Sequence, residues 1–310
     1  MLSTDFCSVD DATYAAVLQT QGVFFERISL VAREKLAADL LDPVKAIRQA
    51  EILERYCALK DRKVLEIGSG LGVNHIVWSR KFGIDGFGVE PSGEGFDSSN
   101  AISKRLIAHN HLDPSRIIDS RGEALPFAGD SFDIVYSANV LEHTTDPEAV
   151  IREAYRVLRP NGVMQFVFPN YHSYFDGHYA VFHPPVFGTW FFPWYVRTFF
   201  GRDPAFARTL RTELNVGWTE RVLARLRKLS EFSVLSLGAE IFLERMTSMP
   251  FDSWAGLTKV GTLLGVVRRL RLDKAAARIA IILGGHTPIV LTLRKLPPSE
   301  STPNAVHSPI

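Results

Sequence analysis

The stretch Val64-Leu65-Glu66-Ile67-Gly68-Ser69-Gly70-Leu71-Gly72 constrains this chain more than any other. A short apolar run, then glycines at alternate positions, then the helical pattern of residues 73–82 read as a buried strand, a sharp turn and a helix. Glycines there let the backbone turn tightly and let a ligand approach where a Cβ would collide. The spacing is not that of a nicotinamide-dinucleotide fingerprint, whose third glycine would fall at position 73, where Val73 stands. No Gly-Lys-Ser/Thr follows, which removes phosphate-loop chemistry.

The turn opens a longer alternation. Apolar runs at residues 64–67, 86–89, 116–118, 132–136 and 163–168 are separated by helical patterns at 73–82, 94–109 and 147–158. Strands apolar enough to be covered on both faces, in alternation with helices, predict an α/β fold with a doubly wound, mostly parallel sheet. Upstream, residues 12–59 read as helices; Asp42-Pro43 is an N-cap followed by a first-turn proline, with Ile47, Ala50, Leu53 and Cys57 on one face. Downstream, residues 171–200 carry 13 Phe, Tyr or Trp but only Asp176 and Arg197 as charges, so this segment is no ordinary solvated loop. A helix at 219–229, a strand at 232–237, an amphipathic helical region at 254–282 and a last strand at 289–293 follow. The expected organisation is therefore a helical N-terminal lid (1–60), a ligand-binding core (61–170), an aromatic insertion cap (171–218), completion of the sheet with a helical insertion (219–296) and a disordered polar tail (297–310).

Composition narrows the function classes. Lys plus Arg number 35 against 34 Asp plus Glu, which argues against a nucleic-acid binder relying on bulk charge. Cys7 and Cys57 are too few for a disulfide framework or a cysteine zinc site, so a reducing cytoplasm is the expected compartment. Asp5, Asp10 and Asp11 stand where an export signal would want basic residues, and no apolar run approaches a membrane span. One basic cluster, Arg268, Arg269, Arg271 and Lys274, flanks Val260, Leu263, Leu264, Val267 and Leu270 at helical spacing. It admits two readings, peripheral contact with the inner face of a membrane, or a helix packed on the sheet or at a homodimer interface.

The second run ends at Glu90, 20 residues beyond Gly70, where a carboxylate can accept two hydrogen bonds from a ribose diol. Glu66, just before the glycines, would repel a pyrophosphate and attract an ammonium or sulfonium group. Together they point to an adenosine-type ligand with a positive charge.

On these residues the chain resembles the class I S-adenosylmethionine-dependent methyltransferases over roughly residues 62–170. The resemblance also includes Gly122-Glu123-Ala124-Leu125-Pro126-Phe127, Ser131-Phe132-Asp133-Ile134-Val135, Leu141-Glu142-His143 and Glu153-Ala154-Tyr155-Arg156-Val157-Leu158-Arg159-Pro160-Asn161-Gly162. It implies a Rossmann-like seven-stranded sheet, S-adenosyl-L-methionine as cofactor and methyl transfer as the reaction. It further implies that Glu66, Gly68 and Gly70 face the methionine moiety, Glu90 the ribose, Glu123 and Ala124 the adenine edge and Asn139 the sulfur side, with Ser69, Gly72, Pro91 and Leu125 also in the cofactor site. One departure stands at Arg121, where many relatives carry an Asp that accepts from the adenine amino group; an Arg cannot accept. Arg156 and Arg159 are expected only to complement a helix dipole, and Asn161-Gly162 to turn the chain into the fifth strand.

For the acceptor, a hydroxyl or ammonium must lose a proton as it is methylated, which asks for a base. His143, after the fourth strand, is the first candidate; His178 and Tyr179, among Tyr171, His172 and His183 after the fifth, are the others. Aromatic walls with a few polar tips suit a small-molecule or glycan-type acceptor, and the Gly177-His178-Tyr179 string is similar to one in methyltransferases of polysaccharide and lipid-linked sugar pathways. A quinone-like acceptor, carbon methylation and a non-catalytic sensor remain alternatives. No tight His-x-x-x-His pair or evident carboxylate set accompanies these histidines, so no metal is expected.

Overall fold

The computed structural model describes residues 6–28, 32–93, 99–173, 175–179, 181–183, 190–248 and 260–297. Seven strands form one sheet: β1 (Lys63–Ile67), β2 (Asp85–Val89), β3 (Ile117–Ile118), β4 (Phe132–Ala138), β5 (Leu158–Phe168), β8 (Phe232–Ser236) and β9 (Ile289–Lys295), in the order β3-β2-β1-β4-β5-β9-β8. A separate two-stranded ribbon pairs β6 (Phe175–Asp176) with β7 (Val181–Phe182). The first five strands run parallel, and β9 is antiparallel to both of its neighbours. The expected mostly parallel, seven-stranded doubly wound sheet is the one observed. Strand order reverses between β1 and β4, and this switch point is where such sheets open a crevice at their carboxyl ends.

Local chemistry explains most boundaries. Asp42 and Asp146 each cap a helix that begins with proline, Pro43–Glu54 and Pro147–Val157. Asn215 caps Val216–Leu226, which therefore starts three residues before the expected position. Two helices escaped the pattern reading. Ala239–Thr247 follows Gly238, whose φ of 90° ends β8's excursion, and Phe191–Phe200 is too uniformly aromatic to show a helical period. Asn161-Gly162 does not precede β5 but lies inside it, where the register against β4 slips as a bulge. The helical pattern read from residue 94 is seen as Ser99–His109, residues 94–98 lying outside the described set, as do the tail from 298 and residues 254–259.

Each face of the sheet has its own core. Ala46, Ala50 and Leu53 are fully buried with Trp78, Ile134 and Tyr136, and the Trp78 indole donates to the Ala46 carbonyl at 2.7 Å. The helix Pro43–Glu54 is thus a packed layer of the core. The opposite face buries Val150, Ile151 and Ala154 with Phe166, Trp218 and Val222.

Candidate active site

The glycine turn is built as a cradle. Gly68, Gly70 and Gly72 have φ of 71°, 51° and 77°, a left-handed backbone that favours glycine at each position. The Gly68 and Ser69 amides both donate to the Val89 carbonyl, at 2.8 and 3.1 Å, so the turn is tied to β2. The Gly70 amide donates instead to the Glu90 carboxylate, at 2.9 Å. A Cβ at Gly70 would meet nothing within 4 Å, so open space lies over this residue.

Glu66 lies buried beneath the turn. The Asn74 amide donates to it at 2.6 Å, but burial and the nearby Glu90 push its carboxyl up to about 8, from an ordinary value of 4.5. At neutral pH it is mostly protonated, ready to ionise beside a cation. An acid under an open glycine cradle with a second acid at the strand end fits a ribose-bearing ligand with a positively charged arm. Pro91 follows half-buried, and Asn139 stands exposed at the end of β4 with φ of 56°.

The 122–125 loop is held in place by hydrogen bonds from neighbouring elements. Glu123 accepts from the Thr145 amide at 2.8 Å and so ties this loop to the turn after β4. Leu125 is in the hydrophobic core and its amide donates to Glu153, whereas Ala124 is exposed. Arg156 does more than complement a dipole: it bonds Glu153 and the carbonyls of Leu125 and Phe127, clamping the loop from behind. Arg159 pairs with Asp133 at 3.0 Å.

The fold brings together His143 and His178, 35 residues apart. Glu142 and His143 sit on the one-turn helix Leu141–His143 after β4, and His178 lies in the ribbon after β5. The two Nε2 atoms are 3.2 Å apart, with Phe206 against both rings. Asp176, itself buried, meets His178 Nδ1 at 3.3 Å through one oxygen and accepts from the Tyr179 amide at 2.7 Å through the other. Burial and the neighbouring His178 push His143 down to about 3, while Asp176 holds His178 above the usual imidazole value despite its burial. Tyr179 is anchored within the fold. Its hydroxyl donates to the Asp203 carbonyl and accepts from the Ala207 amide, which pins the loop carrying Phe206. His172 is exposed, and the buried His183 packs on Phe192.

Beside this pair lies a cavity of about 290 Å³ that the sequence did not reveal. Lys45, Arg48 and Arg245 bring three cations to its wall, with Tyr136, Asn139 and Gln165 from the sheet. No carboxylate lines it among the described residues. Burial and the adjacent Arg48 push Arg245 down to about 10, and the buried Tyr136 hydroxyl has no hydrogen-bonding partner. These residues come from the helix Pro43–Glu54, β4, β5 and the helix Ala239–Thr247, so no sequence window contained them.

Comparison with known proteins agrees with this geometry. Residues 65–166 match the family described as a methyltransferase domain. An uncharacterised methyltransferase of Mycobacterium sp. (strain JLS) is 32% identical over 117 residues, which is 38% of this chain and 42% of that protein. The chain thus spans less than half the length of the curated relatives it matches. Among solved structures, a putative sarcosine dimethylglycine methyltransferase from Galdieria sulphuraria aligns with 16% identity and a TM-score of 0.47, covering 81% of this chain and 84% of that one. Phosphoethanolamine N-methyltransferase 2 of Haemonchus contortus aligns with 20% identity and the same TM-score, covering 81% and 52%. With its glycine cradle at the switch point of a seven-stranded sheet and its match over residues 65–166, the chain is built on a class I S-adenosylmethionine-dependent methyltransferase domain.

Proposed function

We propose that the chain transfers a methyl group from S-adenosylmethionine to a hydroxyl of a small-molecule or glycan-type acceptor that carries an acidic group. The observation behind the first half is the cradle itself, with Glu66 beneath it and Glu90 folded over the Gly70 amide. Glu90 and Pro91 would hold the ribose, Glu66 the cationic arm, and Asn139 the sulfur side. The 122–125 loop would meet the adenine edge through its backbone and packing. The bound cofactor supplies an already activated methyl group, so the protein's part is to align acceptor and methyl, exclude water and receive a proton.

The acceptor half rests on the cavity. Arg48, Arg245 and Lys45, the last already paired with Asp39, give the wall of this space a positive character with no carboxylate among its described lining, which favours a carboxylate or phosphate on the acceptor over a neutral quinone. Incubation with labelled S-adenosylmethionine and matched acidic and neutral acceptors tests this reading. Label in the acidic acceptor is expected, and binding without transfer to any acceptor would favour a sensor. For the cofactor, Glu90→Ala is expected to weaken S-adenosylhomocysteine binding by about 1.5 to 3 kcal/mol with the fold intact, through loss of a charge-assisted bond. Unchanged affinity by calorimetry would remove Glu90 from the site.

A peripheral membrane role is a further part of the proposal. None of the described helices is long and apolar enough to cross a membrane. The helix Asp273–Ile282 buries Ala277 but exposes Ile279 and, at 82%, Ile282, followed by exposed Leu283. The side chains of Val260, Leu263 and Leu264 lie outside the described residues. Of the four basic residues, Arg268 is spent on the Arg245 and Met246 carbonyls, leaving Arg269, Arg271 and Lys274 for anionic lipid at about 1 kcal/mol each. Salt-sensitive sedimentation with anionic liposomes is expected, lost when these three become Gln. No bound fraction at low salt would leave the apolar face to a second copy of the chain.

A further inference from the structure

We propose that Glu142, His143 and His178 form a binding site for one divalent transition-metal ion of the zinc type. The three ligand atoms converge: the two Nε2 atoms are 3.2 Å apart, and each is 3.9 Å from Glu142 Oε1. A point equidistant from all three lies about 2.1 Å from each, within the roughly 2.0–2.2 Å at which zinc binds imidazole and carboxylate.

The second, independent observation is the state of Glu142. Its side chain has 0% exposure, and neither carboxylate oxygen has a hydrogen-bonding partner. A buried carboxylate in that condition is costly unless a cation meets it. A hydrogen bond between the two imidazoles accounts for the 3.2 Å contact but leaves Glu142 as it is; a metal ion accounts for both.

The surroundings complete the pattern. Asp176 at 3.3 Å from His178 Nδ1 selects the tautomer with Nδ1 protonated, which turns the Nε2 lone pair toward the shared point. The second oxygen of Asp176 is held by the Tyr179 amide, and the Glu142 backbone carbonyl accepts from the Arg211 amide at 2.9 Å, so both ends of the site are fixed. Two buried carboxylates and a divalent cation balance in charge. Two imidazoles and one carboxylate suit zinc and its neighbours better than magnesium or calcium, which want oxygen ligands only. Three protein ligands leave a coordination position open to water or to an acceptor oxygen.

The full chain, purified and stripped with EDTA, is titrated with Zn2+ against a chromophoric chelator, and bound metal is counted by elemental analysis. One ion per chain is expected, with a rise in melting temperature. Co2+ in place of zinc should give the visible absorption of a low-coordinate centre. His178→Ala should lower zinc affinity at least about 100-fold, and Asp176→Asn about 10- to 100-fold, through loss of the group that orients the imidazole. Glu142→Gln, which keeps the side-chain shape, should also lose the stoichiometric ion; its melting temperature in EDTA reports whether the fold is kept. Substoichiometric metal in the wild-type chain, or undiminished binding in Glu142→Gln and His178→Ala, overturns the site. S-adenosylhomocysteine affinity should stay unchanged in both variants, which separates this result from the methyltransferase reading.

Discussion

Gly68→Ala is expected to destabilise the protein by about 2 to 5 kcal/mol, whereas Gly70→Ala should cost only about 1 to 2. Both glycines have positive φ, so each substitution pays for a left-handed backbone. They differ in what the new Cβ meets. At Gly68 it would overlap the Val140 side chain, approaching Cγ1 at 3.0 Å and Cγ2 more closely still, just where the chain leaves β4 for the turn bearing Glu142 and His143. At Gly70 it enters open space. Gly70→Val should therefore keep the fold yet lose cofactor affinity, because its branches occupy the room left for the ligand. Denaturant melts and S-adenosylhomocysteine calorimetry on the three variants separate these effects. Equal stability losses at 68 and 70, or full affinity in Gly70→Val, would contradict the cradle.

Cofactor affinity should also rise with pH, by close to tenfold per unit between about pH 6 and 8, and level off above. In the ligand-free protein Glu66 is pushed up to about 8 by burial and by Glu90, so at pH 7 it carries a proton. A positively charged ligand arm beside it favours the ionised form, and binding must then release that proton. Calorimetry at pH 7 in buffers of different ionisation enthalpy should detect this release. Glu66→Gln should abolish it and weaken binding, while any titration of the ligand's own amine persists in the variant and is subtracted.

The same shift has a sign for stability. Because the folded value lies above the ordinary 4.5, the contribution of neutral Glu66 is complete below that value and lost as pH rises through about 8. Ligand-free Glu66→Gln should therefore melt higher than wild type at pH 8 to 9, and a wild-type stability that stays flat between about pH 5 and 8 would argue against the buried acid.

The strands and their order of appearance were legible because each rests on local signals. Apolar runs, capped prolines at Asp42-Pro43 and Asp146-Pro147, and a glycine turn act within a few residues of themselves, so the sheet and the cradle with Glu66, Gly70 and Glu90 could be named from the sequence. The helix Phe191–Phe200 was not, since aromatic residues on every side erase the period that marks a helix. The acceptor side depended on the tertiary fold. Arg48 and Arg245 share a wall only because a helix before β1 and a helix after β8 pack over the same strands, and neither belongs to a local motif that would mark it. The histidines of the segment after β5 show no metal-ligand spacing among themselves, whereas the close cluster takes Glu142 and His143 from the end of β4 and His178 from beyond β5. Sequence periodicity reports which face of an element is buried; which side chains from distant elements meet is set by strand order, and only the closed sheet brings the ends of β4 and β5 side by side.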